Sequence, residues 1–246
     1  MIPRMSLAQK ALLWAPLVCL AVACAQPSPT IRYETSGDLP VTADGLHRIQ
    51  STRLSAVYLK PGASFAGFDA ILVDPVTVSY KSAPQRATAA NRSRGNFALN
   101  ESQMDRLKRI FQEAFESELG KSEEFAFVTE PGPTTLRVSG HIVDLVVDAP
   151  PQQGSRDRDF VMSAGEMTLI LDVRDSLTRE PLARVADRRA IQPATGGAGR
   201  VYRSTPVRNW GEVRSQMQRW ASILREGLDY LKQLPEVPEP EPAAQP

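Results

Sequence analysis

The 246 residues are 42% hydrophobic and carry 29 Lys and Arg against 28 Asp and Glu, a net charge of +1. That apolar content suffices for a core, and near-neutrality leaves no basic field to recruit nucleic acid. Two cysteines, Cys19 and Cys24, and two distant histidines, His47 and His141, lack the spacing of a zinc site, so neither metal nor cofactor is expected.

Arg4 and Lys10 precede a continuous apolar run from Ala11 to Ala23, the order of a signal peptide over residues 1–23. The run is shorter than the roughly 20 residues that cross a bilayer. Ala21-Val22-Ala23-Cys24 resembles the lipobox of bacterial lipoproteins, in which cleavage between Ala23 and Cys24 follows acylation of the thiol. Cys24 is therefore the predicted lipidation site, and several acyl chains on it would hold the protein stably on a membrane. Ala25 and Gln26 follow where a retention signal would place Asp, which resembles export to the outer membrane. The same small residues also fit ordinary secretory cleavage, which would release a soluble periplasmic protein. Once Arg4 and Lys10 leave with the signal, 27 bases stand against 28 acids, and lipidation of Cys24 would leave the mature chain without a free thiol.

Ala25 to Gln50 holds Pro27, Pro29, Gly37, Pro40 and Gly45 without a sustained period, and residues 24–53 read as the lipidated cysteine and a flexible tether. Such a segment has an r.m.s. span of about 25–30 Å. A single domain is expected over 54–234. It opens with a strand near Leu54 to Tyr58, then a β-branched run from Ile71 to Tyr80 in which Pro75 predicts an edge or a bulge. Ser82 to Gly95 reads as a polar loop. Asn100, with Gln103 three residues on, forms a capping box for a helix whose stripe is Met104, Leu107, Phe111, Ala114, Phe115 and Leu119, stopped by Gly120.

Phe125 to Val128 and the alternating Leu136, Val138, Gly140 and Ile142 read as strands around a Pro131-Gly132-Pro133 turn. At Val143 the apolar parity changes to Val143, Leu145 and Val147, which predicts a bulge or a change of face. Met167, Leu169, Leu171 and Val173 alternate with polar residues, Ile170 excepted, and a turn leads to Leu182 to Ala190, a hairpin. A last helix is expected from near Asn209, with Val213, Met217, Trp220, Leu224, Leu228 and Leu231 on one stripe. The Pro- and Glu-rich residues 235–246 read as a disordered tail. The fold class is α+β, with a mostly antiparallel sheet of about four to five strands packed by two amphipathic helices.

Tyr58-Leu59-Lys60-Pro61-Gly62, Gly67-Phe68-Asp69, Val73-Asp74-Pro75-Val76, Ala164-Gly165-Glu166, Asp187-Arg188-Arg189 and Asn209-Trp210-Gly211-Glu212 stand in this order. Together they resemble a domain-of-unknown-function family of Gram-negative lipoproteins, over about Leu54 to Leu234. The resemblance implies an envelope address and one α/β domain, and it supplies no catalytic or binding residues.

Phosphate-loop, nucleophile-elbow and His-Glu-x-x-His motifs are absent. Gly196-Gly197-Ala198-Gly199 beside Arg200 could form an anion nest but has the composition of a plain loop. Asp144, Asp148, Asp157 and Asp159 could furnish carboxylates for acid–base work on an envelope polymer, or form a solvated face. Arg184, Arg188, Arg189, Arg200, Arg203 and Arg208 bias the C-terminal half toward a polyanion, or toward a salt-bridged rim. The functional expectation is a non-enzymatic binding or assembly lipoprotein, held to the outer membrane by acyl chains on Cys24 and meeting an envelope protein or glycan. An enzyme acting on an envelope polymer and a soluble periplasmic binder are the alternatives.

Overall fold

The computed structural model describes residues 31–37, 39–51, 53–84, 98–147, 166–190 and 206–240, with backbone alone for 206–209. The elements within them are β1 (His47–Ile49), β2 (Ala56–Leu59), β3 (Ala70–Val73), β4 (Thr77–Tyr80), α1 (Glu101–Leu119), β5 (Ala126–Val128), β6 (Thr135–Val146), β7 (Glu166–Asp175), β8 (Pro181–Ala190) and α2 (Pro206–Lys232). The strands make one sheet in the order β1-β2-β8-β7-β6-β3-β5, and β4 pairs β6 further along than β3 does.

The α+β class holds, but the sheet departs from the sequence reading: eight strands rather than about four to five, and mixed rather than mostly antiparallel. β3 runs parallel to β5 and β6, and β4 parallel to β6, whereas the other ladders are antiparallel. The physical reason is the connection. A chain that leaves β4, forms a helix and returns to the sheet sets the next long strand parallel. Ala70–Val73 is buried at all four positions, as befits a strand enclosed on both faces. Pro75, exposed, divides the expected single strand in two, while the Asp74 N–H still donates to the Val138 carbonyl at 2.9 Å.

One face of the sheet meets the helices. Leu136, Val138 and Ile142 of β6 and Met167, Leu169, Leu171 and Val173 of β7 share a buried cluster with Phe111 and Phe115 of α1 and Val213, Met217 and Trp220 of α2. Gly140 permits this approach: a Cβ there would stand 2.4 Å from Phe111 Cζ. The expected capping box forms, with the Gln103 N–H donating to Asn100 Oδ1 and the Asn100 N–H to Gln103 Oε1, each at 2.9 Å. The parity change in β6 is a bulge. Register shifts between Val143 and Val146, Asp144 takes φ 53°, and Leu145 and Val147 rejoin the core. Helix α2 begins at Pro206 rather than near Asn209, because proline suits a first turn whose N–H groups need no intrahelical partner.

Both chain ends of the domain are more ordered than their composition suggested. From Ile31 on, the expected tether is sheet edge: Tyr33 pairs with Ile49 and Val41 with His47 along the outer side of β1, and Leu46 is fully buried. Its glycines and Thr42 build turns, with the Leu46 N–H donating to Thr42 Oγ1 at 3.0 Å. In the expected disordered tail, Val237 is 1% exposed, its N–H donates to the Ala63 carbonyl and its carbonyl accepts from the Gly62 N–H. The Ser64 hydroxyl donates to the Pro235 carbonyl at 2.8 Å and the Tyr33 hydroxyl to the Pro238 carbonyl at 2.6 Å, so hydrogen bonds on either side of Val237 dock this strap. The signal segment with Ala23 and Cys24, and residues 241–246, lie outside the described residues.

Candidate functional site

Strand alternation sends Arg137, Ser139 and His141 of β6, Ile170, Asp172 and Arg174 of β7, and Arg184, Ala186 and Arg188 of β8 to the face opposite the helices. Register then lines up a row across five strands: Arg48 opposite Tyr58, Tyr58 opposite Arg184, Arg184 opposite Asp172, and Asp172 opposite Ser139. Arg184 Nε donates to Asp172 Oδ1 at 2.6 Å and its Nη2 to Asp44 Oδ2 at 2.8 Å. Arg174 Nη2 lies 3.8 Å from Asp172 and 3.9 Å from Asp44. At the end of the row Arg137 grips Asp74 with both arms of its fork, Nε to Oδ2 at 2.7 Å and Nη2 to Oδ1 at 2.6 Å, and the Ser139 hydroxyl donates to Oδ2. Toward the β7 start, Arg188 makes the same two-armed contact with Glu166.

Two of these carboxylates, Asp44 and Glu166, are held as anions. Asp44 lies below the usual carboxylate range, chiefly through the Thr42 hydroxyl, with burial opposing and Arg184 assisting. Arg188 lowers Glu166 in the same way. A carboxyl that exchanges protons near neutral pH is one tuned upward, and these two are tuned downward. The nearest approach to a relay is Thr77 Oγ1, 2.7 Å from His141 Nδ1, with His141 Nε2 3.8 Å from Asp172 Oδ2. The last span exceeds a hydrogen bond, and Asp172 is already engaged by Arg184. Among the described residues no group of three or more His, Cys, Asp or Glu could hold a metal ion.

On the helix side Asp187 is 1% exposed and forms a hub. It accepts from the Ser55 N–H and hydroxyl at 3.0 and 2.8 Å, from Arg189 Nε at 2.7 Å and from Trp220 Nε1 at 2.8 Å. Burial pushes its pKa up, but the hydrogen bonds from Trp220, Ser55 and Arg189 outweigh that and leave it below the usual value.

The family described as "Protein of unknown function (DUF3313)" matches residues 41–224, from the turn before β1 into the later part of α2. The chain belongs to this family. No curated protein matches it. Among solved structures, a Xanthomonas campestris protein of the DUF330 family is 13% identical with a TM-score of 0.40, over 70% of this chain and 88% of that one. A PelC dodecamer from Paraburkholderia phytofirmans is 9% identical with a TM-score of 0.35, over 69% and 96%. A neuraminyllactose-binding hemagglutinin homolog from Helicobacter pylori is 9% identical with a TM-score of 0.36, over 70% and 91%.

In this DUF3313 chain the residues singled out in the sequence do not gather at one place. Asp144 is exposed at the β6 bulge, and Asp148, Asp157 and Asp159 lie outside the described residues, so no acid pair is assembled within them. Arg184 and Arg188 share the helix-free face, but Arg189 points the other way to Asp187 and the Arg53 carbonyl, which splits the expected basic cluster. Arg200, Arg203 and Gly196 to Gly199 lie outside the described residues, and of Arg208 only the backbone is described. His47 meets the Tyr33 ring edge-on at 5.8 Å. The pairing of Asp44 and Asp172 emerges only from the fold, whereas Asp74 and Asp187 left a visible trace in the Val-Asp-Pro-Val and Asp-Arg-Arg strings.

Proposed function

We propose that this DUF3313 chain is an outer-membrane lipoprotein, anchored through acyl chains on Cys24, whose periplasm-facing α+β domain binds or assembles with an envelope protein or glycan without catalysis. The observation that carries the binding half is the row from Arg48 to Ser139. Four ladders fix its charges in position, and ion pairs preset their directions before any partner arrives. Preset charge favours recognition over proton transfer, and the Asp44 and Glu166 carboxyls beside the row are both lowered.

The anchor half is supported by Arg4 and Lys10 ahead of the apolar run and by Ala21-Val22-Ala23-Cys24. No helix among the described residues is long and apolar enough to cross a membrane. Intact mass and membrane fractionation of the native protein beside Cys24→Ser test it. The expected native protein begins at Cys24, carries acyl mass and leaves the membrane on substitution; a soluble, unacylated native protein refutes the anchor. For the binding half, a photo-crosslinking residue replaces Arg188 on the helix-free face or Lys108 on the outer side of α1. An envelope adduct from position 188 alone is expected, and no adduct at 188 refutes the surface.

A further inference from the structure

The structure shortens the link between Cys24 and the fold, and the inference drawn from this rests on the anchored reading. Tyr33 and Val41 bridge to β1, so from Ile31 onward the chain is part of the sheet edge. Cys24 and Ile31 are separated by seven positions in the sequence. At roughly 3.3–3.6 Å per residue the intervening chain spans at most about 25 Å, whatever its conformation. A domain of about 200 residues has a radius of gyration near 16 Å and a diameter near 40 Å. The acylated end cannot reach around such a body. In the anchored protein Ile31 therefore stays within about 25 Å of the bilayer surface.

That edge carries two of the three exposed large hydrophobic side chains among the described residues, Leu39 at 69% and Val41 at 43%. Val41 stands opposite His47 and Tyr33 opposite Ile49, which places Val41 and Ile31 about four positions, or ~13 Å, apart along β1. Leu39 takes φ 56°, a left-handed conformation unfavourable for leucine. A strained backbone that holds a leucine out in water points to a partner. The partner is not an added strand, because the outer side of β1 is already bonded: Glu34 N–H to Arg48 O, Arg48 N–H to Pro40 O and Gln50 N–H to Arg32 O. We propose that Leu39 and Val41 seat this edge in the interfacial layer of the bilayer that holds Cys24, so that the domain rides on the lipid surface.

The test uses the full-length acylated protein in phosphatidylcholine vesicles, with Leu39→Cys carrying an environment-sensitive fluorophore. Cys24 is blocked by its acyl group and Cys19 leaves with the signal, so the label is unique. Leu177→Cys, 56% exposed on the β7–β8 turn, is the comparator. Lipid-borne quencher should act at least several-fold more strongly at position 39 than at 177, and Leu39→Asp with the label at Val41 should reduce quenching there. Equal quenching at 39 and 177 in acylated, vesicle-bound protein overturns the seating and leaves the anchor standing. A label at 39 shielded from both lipid-borne quencher and aqueous iodide means that protein covers it, and also overturns the proposal. Protein whose intact mass lacks acyl groups overturns the anchor and the seating with it.

Discussion

Asp187→Ala should be the most damaging polar-to-alanine change in the described core. Four hydrogen bonds converge on this carboxylate. Ser55 and Arg189 are exposed enough to rehydrate, whereas Trp220 is 2% exposed and its Nε1–H would be left buried without an acceptor. An orphaned buried donor costs about 1–3 kcal/mol, and removing one partner of a buried charged network costs about 3–5 kcal/mol. With three of the four donor groups able to find water, the lower end applies, about 3 kcal/mol. For a domain near 200 residues that lowers Tm by about 6–12 °C. Urea unfolding of the soluble Cys24→Ser form measures it. Trp220→Phe removes the same bond from the other side, so the double variant should fall short of the summed single effects by at least ~1 kcal/mol. The pH dependence follows from the sign of the shift. Asp187 is lowered in the fold, so its contribution is full above the unfolded carboxyl value of about 3.9 and is lost as pH falls through the folded value. Asp187→Asn should therefore flatten the acid limb of the stability profile. A cost below about 1 kcal/mol for Asp187→Ala, or strict additivity with Trp220→Phe, refutes the hub.

Three further outcomes are expected. Gly140→Ala would set a methyl 2.4 Å from Phe111 Cζ, and Phe111, stacked 4.2 Å from Phe115, has no room to yield; chemical denaturation should register a loss of about 1–3 kcal/mol, largely relieved by adding Phe111→Leu. Val237→Ala should cost about 2 kcal/mol by the same measurement, since Val237 is buried in the main core, while truncation after residue 240 should cost nothing measurable. Tyr33, raised to about 12 by burial first and by the Glu239 charge second, should ionise about two units above an exposed tyrosine in an absorbance titration. Its fold contribution is then present below pH ~10 and lost between about 10 and 12, and Glu239→Gln should lower its midpoint.

What could be read from the sequence was whatever depends on near neighbours in the chain. Asn100 and Gln103 cap α1 from three residues apart, Met167 to Val173 alternates against Leu182 to Ala190 across one short turn, and the parity change at Val143 marks the β6 bulge. Parallel pairing was invisible because Ala70–Val73 is buried on both sides and carries no period that names a partner. The edge before β1 was hidden by its Gly and Pro content, which marks turns within a fold as readily as a tether; only its pairing with Ile49 and His47 separates the two meanings. The site was hidden for the same reason on a longer scale. Asp44 and Arg184 are 140 residues apart, and nothing in either neighbourhood indicates that the fold will bring them into contact.

Asp187-Arg188-Arg189 shows how one string serves two surfaces. Strand alternation turns Asp187 to the helices and Arg188 to the open face, so adjacent positions fall under different physics. Asp187 anchors Trp220 through a dry contact, and its loss is felt by the whole core. Arg188 pairs with Glu166 at 52% and 31% exposure, where solvent screens the attraction and leaves it little weight in stability. Arg188→Ala should therefore leave the urea midpoint at that of the parent within measurement error while altering whatever the open face binds. A loss comparable to that of Asp187→Ala would mean instead that the ion-paired row is part of the scaffold, and that the recognition surface lies elsewhere.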